Sequence, residues 1–139
     1  MKPPFAELFT MFHNASKTLK YPKIRFNLIN GDRIQFYLAT KGYIAIKHQS
    51  IYIGKIANPT AKVMTLYPAY MDLADELTSF ALNPLESAIM KGQAYGHCCF
   101  CGLELTNKIS VHHGYGPICA DKYGLPWESE SSSTNLIDL

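Results

Sequence analysis

Apolar residues recur at helical spacing near the start of the chain. On a helix they share one face: Phe5, Leu8, Phe9, Phe12, Ala15 and Leu19. Pro22 ends this pattern, because the residue before a proline is driven toward extended geometry. The pattern predicts an amphipathic helix followed by an extended chain.

Residues 23–38 alternate between apolar and polar, which predicts two strands of a hairpin. A two-residue turn at Asn30–Gly31 would place the apolar residues of the two strands on opposite faces. A three-residue loop over 29–31 instead pairs Phe26 with Ile34, on a shared face. We therefore expect the longer loop, with Gly31 in the left-handed conformation.

Further strands are predicted in "YIAIK", "IYIGKIA" and "AKVMTLY". A helix with Met71 in its buried stripe is expected after Pro68, and a second begins at Asn83 and stops at Gly92. The predicted class is α+β: an N-terminal helix, an antiparallel meander of about five strands, two helices and a small zinc module. The predicted divisions are an α+β domain over 1–92, a cysteine-rich module over 93–127 and a disordered acidic tail over 128–139.

Composition changes this picture only in detail. Of 139 residues, 47% are hydrophobic and 17% are charged, which is typical of a globular protein. There is no apolar run of about 18 residues, so no membrane span is expected. The start "MKPPFAELF" lacks a signal-peptide core. We therefore expect a reducing cytoplasm, where four clustered cysteines bind metal more often than they form disulfides.

Charge is divided unevenly along the chain. Residues 1–60 hold nine Lys and Arg against two acids, a balance of +7, whereas residues 61–139 hold four Lys against nine acids, a balance of −5. The basic half suits an acidic partner, although the two halves can also attract each other. The outward face of the predicted hairpin carries candidate nucleic-acid-binding residues: Lys23, Arg25, Arg33 and Tyr37. An ordinary solvated sheet face has the same appearance.

All four cysteines lie in "GHCCFCGLELTNKISVHHGYGPICADKYGLPW", residues 96–127. Cys98, Cys101 and Gly102 form a C-x-x-C-G knuckle, in which two thiolates can bind one ion. Cys119 follows Pro117 in a predicted short helix. A knuckle followed by a ligand in the first turn of a helix is typical of treble-clef-like zinc modules. The alternative is a metal-free helical cap with buried cysteines.

The sequence offers several candidates for a fourth ligand. His113 is the first candidate, followed by His112, His97 and a water molecule. Cys99 offers a poorer C-x-C pair with Cys101. The segment lacks the H-x-E and H-E-x-x-H motifs of zinc deaminases and proteases, and Glu104 is the nearest candidate base. A structural Zn²⁺ in a non-enzymatic protein is therefore expected, with an open catalytic zinc as the alternative.

The residues "CCFCGLELT" and "GYGPICADKYGLPW" resemble a small cysteine-rich domain of unknown function. That domain occurs in phage and mobile-element proteins and at the C-terminal end of some helicase-like proteins. The resemblance covers residues 96–127 and centres on three cysteines, with no histidine required before "GYGP". It implies a phage or bacterial cytoplasmic protein that works near DNA metabolism.

Three functions are compatible with these observations. The first is an accessory protein that binds nucleic acid. The second is a phage factor that binds a host or phage protein of DNA metabolism or defence and inhibits or redirects it. The third is a metalloenzyme. The tail ends in "NLIDL", which can dock in a partner's groove or be a plain tail.

Overall fold

The structure is a computed structural model, and it describes residues 3–127. The predicted acidic tail over 128–139 lies outside the described residues. Helix α1, Ala6–Ser16, buries Leu8, Met11, Phe12 and Ala15. The predicted amphipathic helix at the start of the chain is therefore confirmed.

An antiparallel sheet follows, in which the five strands are neighbours in chain order. The strands are β1 (Lys23–Asn27), β2 (Arg33–Leu38), β3 (Ile44–His48), β4 (Ile51–Ile56) and β5 (Thr65–Leu66). Phe26 pairs with Ile34, and Gly31 has a φ of 93°. The three-residue loop is confirmed, because only this register puts the apolar residues of both strands on one face.

The chain after the sheet is helical but departs from two expectations. A 3₁₀ helix, Pro68–Leu73, precedes α2 (Ala74–Leu82), and Met71 is 54% exposed, so its predicted burial is wrong. Helix α3, Pro84–Tyr95, continues past Gly92 and is capped by Gly96 at φ 73°. Gly92 does not stop this helix. It instead lies against Gly114 of the cysteine-rich segment.

The hydrophobic core lies between one face of the sheet and the helices. The Phe26 ring stacks on Phe80 with centroids 3.8 Å apart, and Phe36 meets both rings edge-on. The opposite, outer face of the sheet carries most polar residues of the strands, whereas His48 pairs with Ile34 on the core side.

The cysteine-rich segment contains α4 (Lys108–His113) and α5 (Pro117–Tyr123). Its buried residues Phe100, Tyr115 and Tyr123 belong to the same hydrophobic core as α1 and the sheet. The boundary predicted between residues 92 and 93 lies inside α3. The α+β class, with a cysteine cluster that can form a small metal module, is confirmed. No helix within residues 3–127 has the length and apolar character needed to cross a membrane.

Candidate metal centre

Cys98 and Cys101 lie in a tight turn closed by a bridge between His97 and Glu104. The Cys98 N–H donates to the Leu103 carbonyl at 2.9 Å, and the Gly102 N–H donates to the Cys98 carbonyl at 2.8 Å. Gly102 has a φ of 78°, which favours glycine over any residue with a Cβ. The predicted knuckle thus forms, because the C-x-x-C-G spacing places the two cysteines on either side of the turn and a glycine where φ is positive.

Cys119 comes from the first turn of α5, which begins after Gly116 with Pro117 at its first position. Its Sγ and those of Cys98 and Cys101 all lie within 4.8 Å of one another. In a tetrahedral site with Zn–S bonds of about 2.3 Å, two sulfurs are about 3.8 Å apart. Sulfur atoms within 4.8 Å of one another are close enough to bind one thiophilic ion together. The structure thus brings together the three cysteines that the sequence predicts as ligands.

The three thiols of this centre hydrogen-bond to one another, which lowers the pKa of Cys101 but raises the pKa values of Cys98 and Cys119. The Phe100 N–H donates to Cys98 Sγ at 3.4 Å. Without a metal the sulfurs share protons. The pKa of Cys101 is lowered to about 2, first by its hydrogen bond with Cys119 and then by that with Cys98. The same bond to Cys101 is the main cause of the raised pKa of Cys119. A bound cation would replace the shared protons.

Cys99 lies apart from this cluster. Its thiol is buried, and its Sγ donates to the Ala88 carbonyl at 3.9 Å. Burial is the largest cause that raises its pKa to about 12, so the thiol stays protonated at neutral pH. The alternative C-x-C pair of Cys99 with Cys101 is therefore not assembled.

The histidines proposed as fourth ligand do not join the three sulfurs. Within residues 3–127, the group contains no imidazole and no carboxylate. His113 instead stacks on Trp127 with ring centroids 4.5 Å apart, and His97 Nδ1 lies 3.0 Å from the Tyr95 carbonyl. His113 is the last residue of α4, and its ring lies against Trp127 and Tyr115 rather than beside the knuckle.

The knuckle and α5 cover the free edge of β1. The Arg25 N–H donates to the Cys99 carbonyl at 2.7 Å. The Tyr123 hydroxyl accepts from the Lys23 N–H at 3.1 Å and donates to the Lys23 carbonyl at 2.9 Å. Three hydrogen bonds thus pair backbone groups that an edge strand leaves open.

The candidate nucleic-acid-binding residues divide into two environments. Lys23 and Tyr37 face each other across β1 and β2 on the outer side of the sheet. The strand register places Arg25 on this outer side too, but its Nε is buried without a hydrogen-bond partner in the described part of the chain. Its guanidinium lies 3.4 Å from the position of a Cβ on Gly102. Arg25 therefore belongs to the surroundings of the knuckle, whereas Arg33 is exposed.

The outer face of the sheet extends beyond the predicted hairpin. We use the name lysine–tyrosine face for Tyr37, Tyr43, Lys47, Tyr52 and Lys55. Lys47 Nζ lies 5.2 Å from the Tyr37 ring centroid, and Lys55 Nζ lies 5.0 Å from that of Tyr43. None of the five strands contains Asp or Glu.

Sequence reasoning missed Lys47, Tyr52 and Lys55, although both strands that carry them were predicted. The alternation of "YIAIK" places Lys47 on the same face as Tyr43. Tyr52 and Lys55 are three positions apart, so strict alternation would separate them, and the irregularity in the β3–β4 pairing brings both to the outer face. Register now shows that placement directly, since Lys47 pairs with Gln35 and with Tyr52.

Comparison with known proteins locates the similarity in the cysteine-rich part. Residues 88–124 match a family of unknown function (DUF6011). This range holds all four cysteines, the C-terminal part of α3 and the helices α4 and α5. No curated protein and no solved structure matches the chain. The class that fold and site define is thus an α+β protein with a three-cysteine candidate metal centre.

Proposed function

We propose that this protein binds single-stranded nucleic acid on the lysine–tyrosine face and uses a structural Zn²⁺ to hold its C-terminal module. The observation that carries the proposal is an outer sheet face with lysines and tyrosines and no carboxylate. Lysines attract phosphates, and tyrosine rings can stack on unpaired bases.

Zinc is the proposed ion because three thiolates form a soft donor set, which zinc accepts in tetrahedral geometry. The role is proposed to be structural rather than catalytic. A segment of about 30 residues buries little surface by itself, so a bound ion would supply folding free energy. The fourth ligand is left to a water molecule or to a group from outside the described residues.

The resemblance of residues 96–127 to a domain of phage and mobile-element proteins favours an accessory role in DNA metabolism. Under this proposal the protein is not an enzyme. A phage-encoded chain would act in the host cytoplasm, on nucleic acid.

The test is titration of labelled single-stranded and duplex oligonucleotides with zinc-loaded protein at several salt concentrations. The doubly substituted variant Lys47→Glu/Lys55→Glu should lose binding, because each lysine that neutralises a phosphate releases counterions. Tyr37→Ala should weaken single-strand binding by about 1–3 kcal/mol and duplex binding less. Lys62→Glu is the matched control, since Lys62 is exposed and lies outside the strands.

The proposal fails if folded, zinc-loaded protein binds no oligonucleotide at low salt. It also fails if Lys62→Glu weakens binding as much as the substitutions on the face. In the first case the charged face would better suit an acidic protein partner, as in the alternative of a phage factor that inhibits or redirects a host protein.

A further inference from the structure

A pocket of about 320 Å³ lies where β1, the end of α3 and the knuckle meet. Its lining includes three cations, Arg25, Arg33 and Lys91, together with His97 and Gly102. No Asp or Glu lines it. We call it the arginine–lysine pocket.

Asn27 at the end of β1 holds two of these cations, Lys91 and Arg33, in place. Lys91 Nζ donates to the Asn27 carbonyl at 2.6 Å, and Arg33 Nε donates to Asn27 Oδ1 at 3.0 Å. Lys91 also lies 5.6 Å from the centroid of the Tyr95 ring. These contacts restrict the two long side chains before any ligand binds, which lowers the entropic cost of binding.

The third cation lies under the knuckle. Arg25 Nε is buried and has no hydrogen-bond partner within residues 3–127. The absence of a side chain on Gly102 lets the guanidinium approach the turn, since its nearest nitrogen is 3.4 Å from where a Cβ would be. A buried donor without an acceptor is unfavourable. Because the Arg25 Nε is closed to solvent, an anion in the pocket would supply its acceptor after a shift of the Arg25 side chain.

No carboxylate in the described part of the chain pairs with the cations of the pocket. Within the described residues, the one ion pair joins His48 to Asp32, so none of the three cations has a carboxylate partner. Arginine guanidinium groups match the oxygens of phosphate in geometry, and a lysine adds a point charge.

We infer that the arginine–lysine pocket binds a phosphate group. The inference extends the proposed function and rests on it for the source of that phosphate, a nucleic-acid strand that continues from the lysine–tyrosine face. Lys91 and Arg25 would then bind the phosphate, with Arg33 at the exposed rim. Phosphate binding in the pocket does not itself require that a nucleic-acid strand bind the lysine–tyrosine face.

The first experiment titrates inorganic phosphate into zinc-loaded full-length protein and follows backbone amide resonances. Acetate at equal ionic strength controls for general anion effects. Phosphate should shift the amides of residues 25–27, 91–97 and 102 in a saturable manner, and acetate should not. Lys91→Met and Arg33→Gln should each weaken phosphate binding about tenfold or more, as expected for a lost charged hydrogen bond. Lys62→Met should not.

The second experiment compares an oligonucleotide with a 5′-phosphate to the same strand with a 5′-hydroxyl. Tighter binding of the phosphorylated strand, lost in Lys91→Met, identifies a terminal phosphate. Equal binding of both strands, weakened in Lys91→Met, identifies an internal phosphate. Both results support the inference. If Lys91→Met changes neither strand, the strand does not reach the pocket, and that part of the inference is overturned.

The two proposals can fail separately. If oligonucleotides bind in a manner that depends on Lys47 but phosphate shifts the pocket amides no more than acetate does, the pocket inference is overturned and the proposed function stands. If phosphate binds in the pocket but no oligonucleotide binds, the proposed function falls and the phosphate site stands. Loss of phosphate binding in Lys91→Met counts only when its amide spectrum retains the native dispersion. Arg33→Gln provides the second, exposed substitution.

Discussion

Removal of one hydroxyl group should loosen the cysteine-rich segment from the sheet. Tyr123 is 1% exposed, and its hydroxyl makes two hydrogen bonds to the backbone of Lys23. Tyr123→Phe keeps the ring, which lies 4.6 Å from Phe100 between centroids, and deletes only these bonds. Burial is the main cause that raises the pKa of Tyr123 to about 12, so the hydroxyl is protonated and can donate at neutral pH.

The expected magnitude follows from a matched residue. Tyr115 is also 1% exposed, but its hydroxyl makes one hydrogen bond, to the Pro126 carbonyl at 2.6 Å. A net hydrogen bond contributes about 1 kcal/mol, and an unpaired buried group costs more. Tyr123→Phe should therefore lower the free energy of unfolding by about 2 kcal/mol or more, and Tyr115→Phe by about 1 kcal/mol.

Urea unfolding at fixed free zinc measures both variants, and hydrogen exchange reports the site directly. The Lys23 amide should lose protection in Tyr123→Phe and keep it in Tyr115→Phe, because only Tyr123 accepts from that amide. Equal losses of stability, with the Lys23 amide still protected in Tyr123→Phe, would refute the reasoning. The β1 edge would then be held by the metal module through other contacts.

Three further predictions concern the same segment. Cys119→Ser should lower zinc content well below one equivalent by metal analysis, whereas Cys99→Ser should leave it unchanged; the opposite result would exclude the assigned ligands. Gly92→Ala should destabilise by about 2 kcal/mol in thermal or urea unfolding, because its Cβ would collide with the Gly114 carbonyl and lie 2.8 Å from Gly114 Cα. Gly116→Ala is its control, with φ −89° and open space around the new Cβ, and should cost less than about 1 kcal/mol. Cys99 should resist alkylation at pH 8, since its pKa is raised to about 12 and the thiolate forms only as the pH approaches that value; rapid labelling in native protein, located by mass spectrometry, would contradict its burial.

Local patterns were sufficient for most of the elements and for the three cysteines that lie together. The period-two alternation around Gly31 determined the register of β1 and β2, because the alternative would have buried polar residues. The spacing of Cys98 and Cys101, and the position of Cys119 after Pro117, follow from short-range turn and helix geometry. Such features need no knowledge of distant contacts.

Long-range contacts account for the failures. The sequence pattern predicts a helix stop at Gly92, but this residue is a point of close approach to Gly114, 22 residues further along the chain. His113 is near Cys119 in sequence, yet its ring stacks on Trp127. Arg25 has the predicted facing, but the knuckle covers it. None of these contacts leaves a periodic signal in the sequence.

The position of Arg25 decides how the charged surface must be tested. The strand register places Arg25 on the outer face of the sheet. Its backbone N–H, however, donates to the Cys99 carbonyl, so Arg25 contacts the knuckle. Arg25→Glu would thus disturb the cysteine-rich segment as well as remove a positive charge, and a loss of binding could not be assigned to either cause. Lys47 and Lys55 lie on strands remote from the cysteines in the sheet order, so charge reversal there probes the surface alone. For the same reason, removal of the proposed zinc should disturb the arginine–lysine pocket, whose lining includes Cys98 and Cys99, more than it disturbs the lysine–tyrosine face.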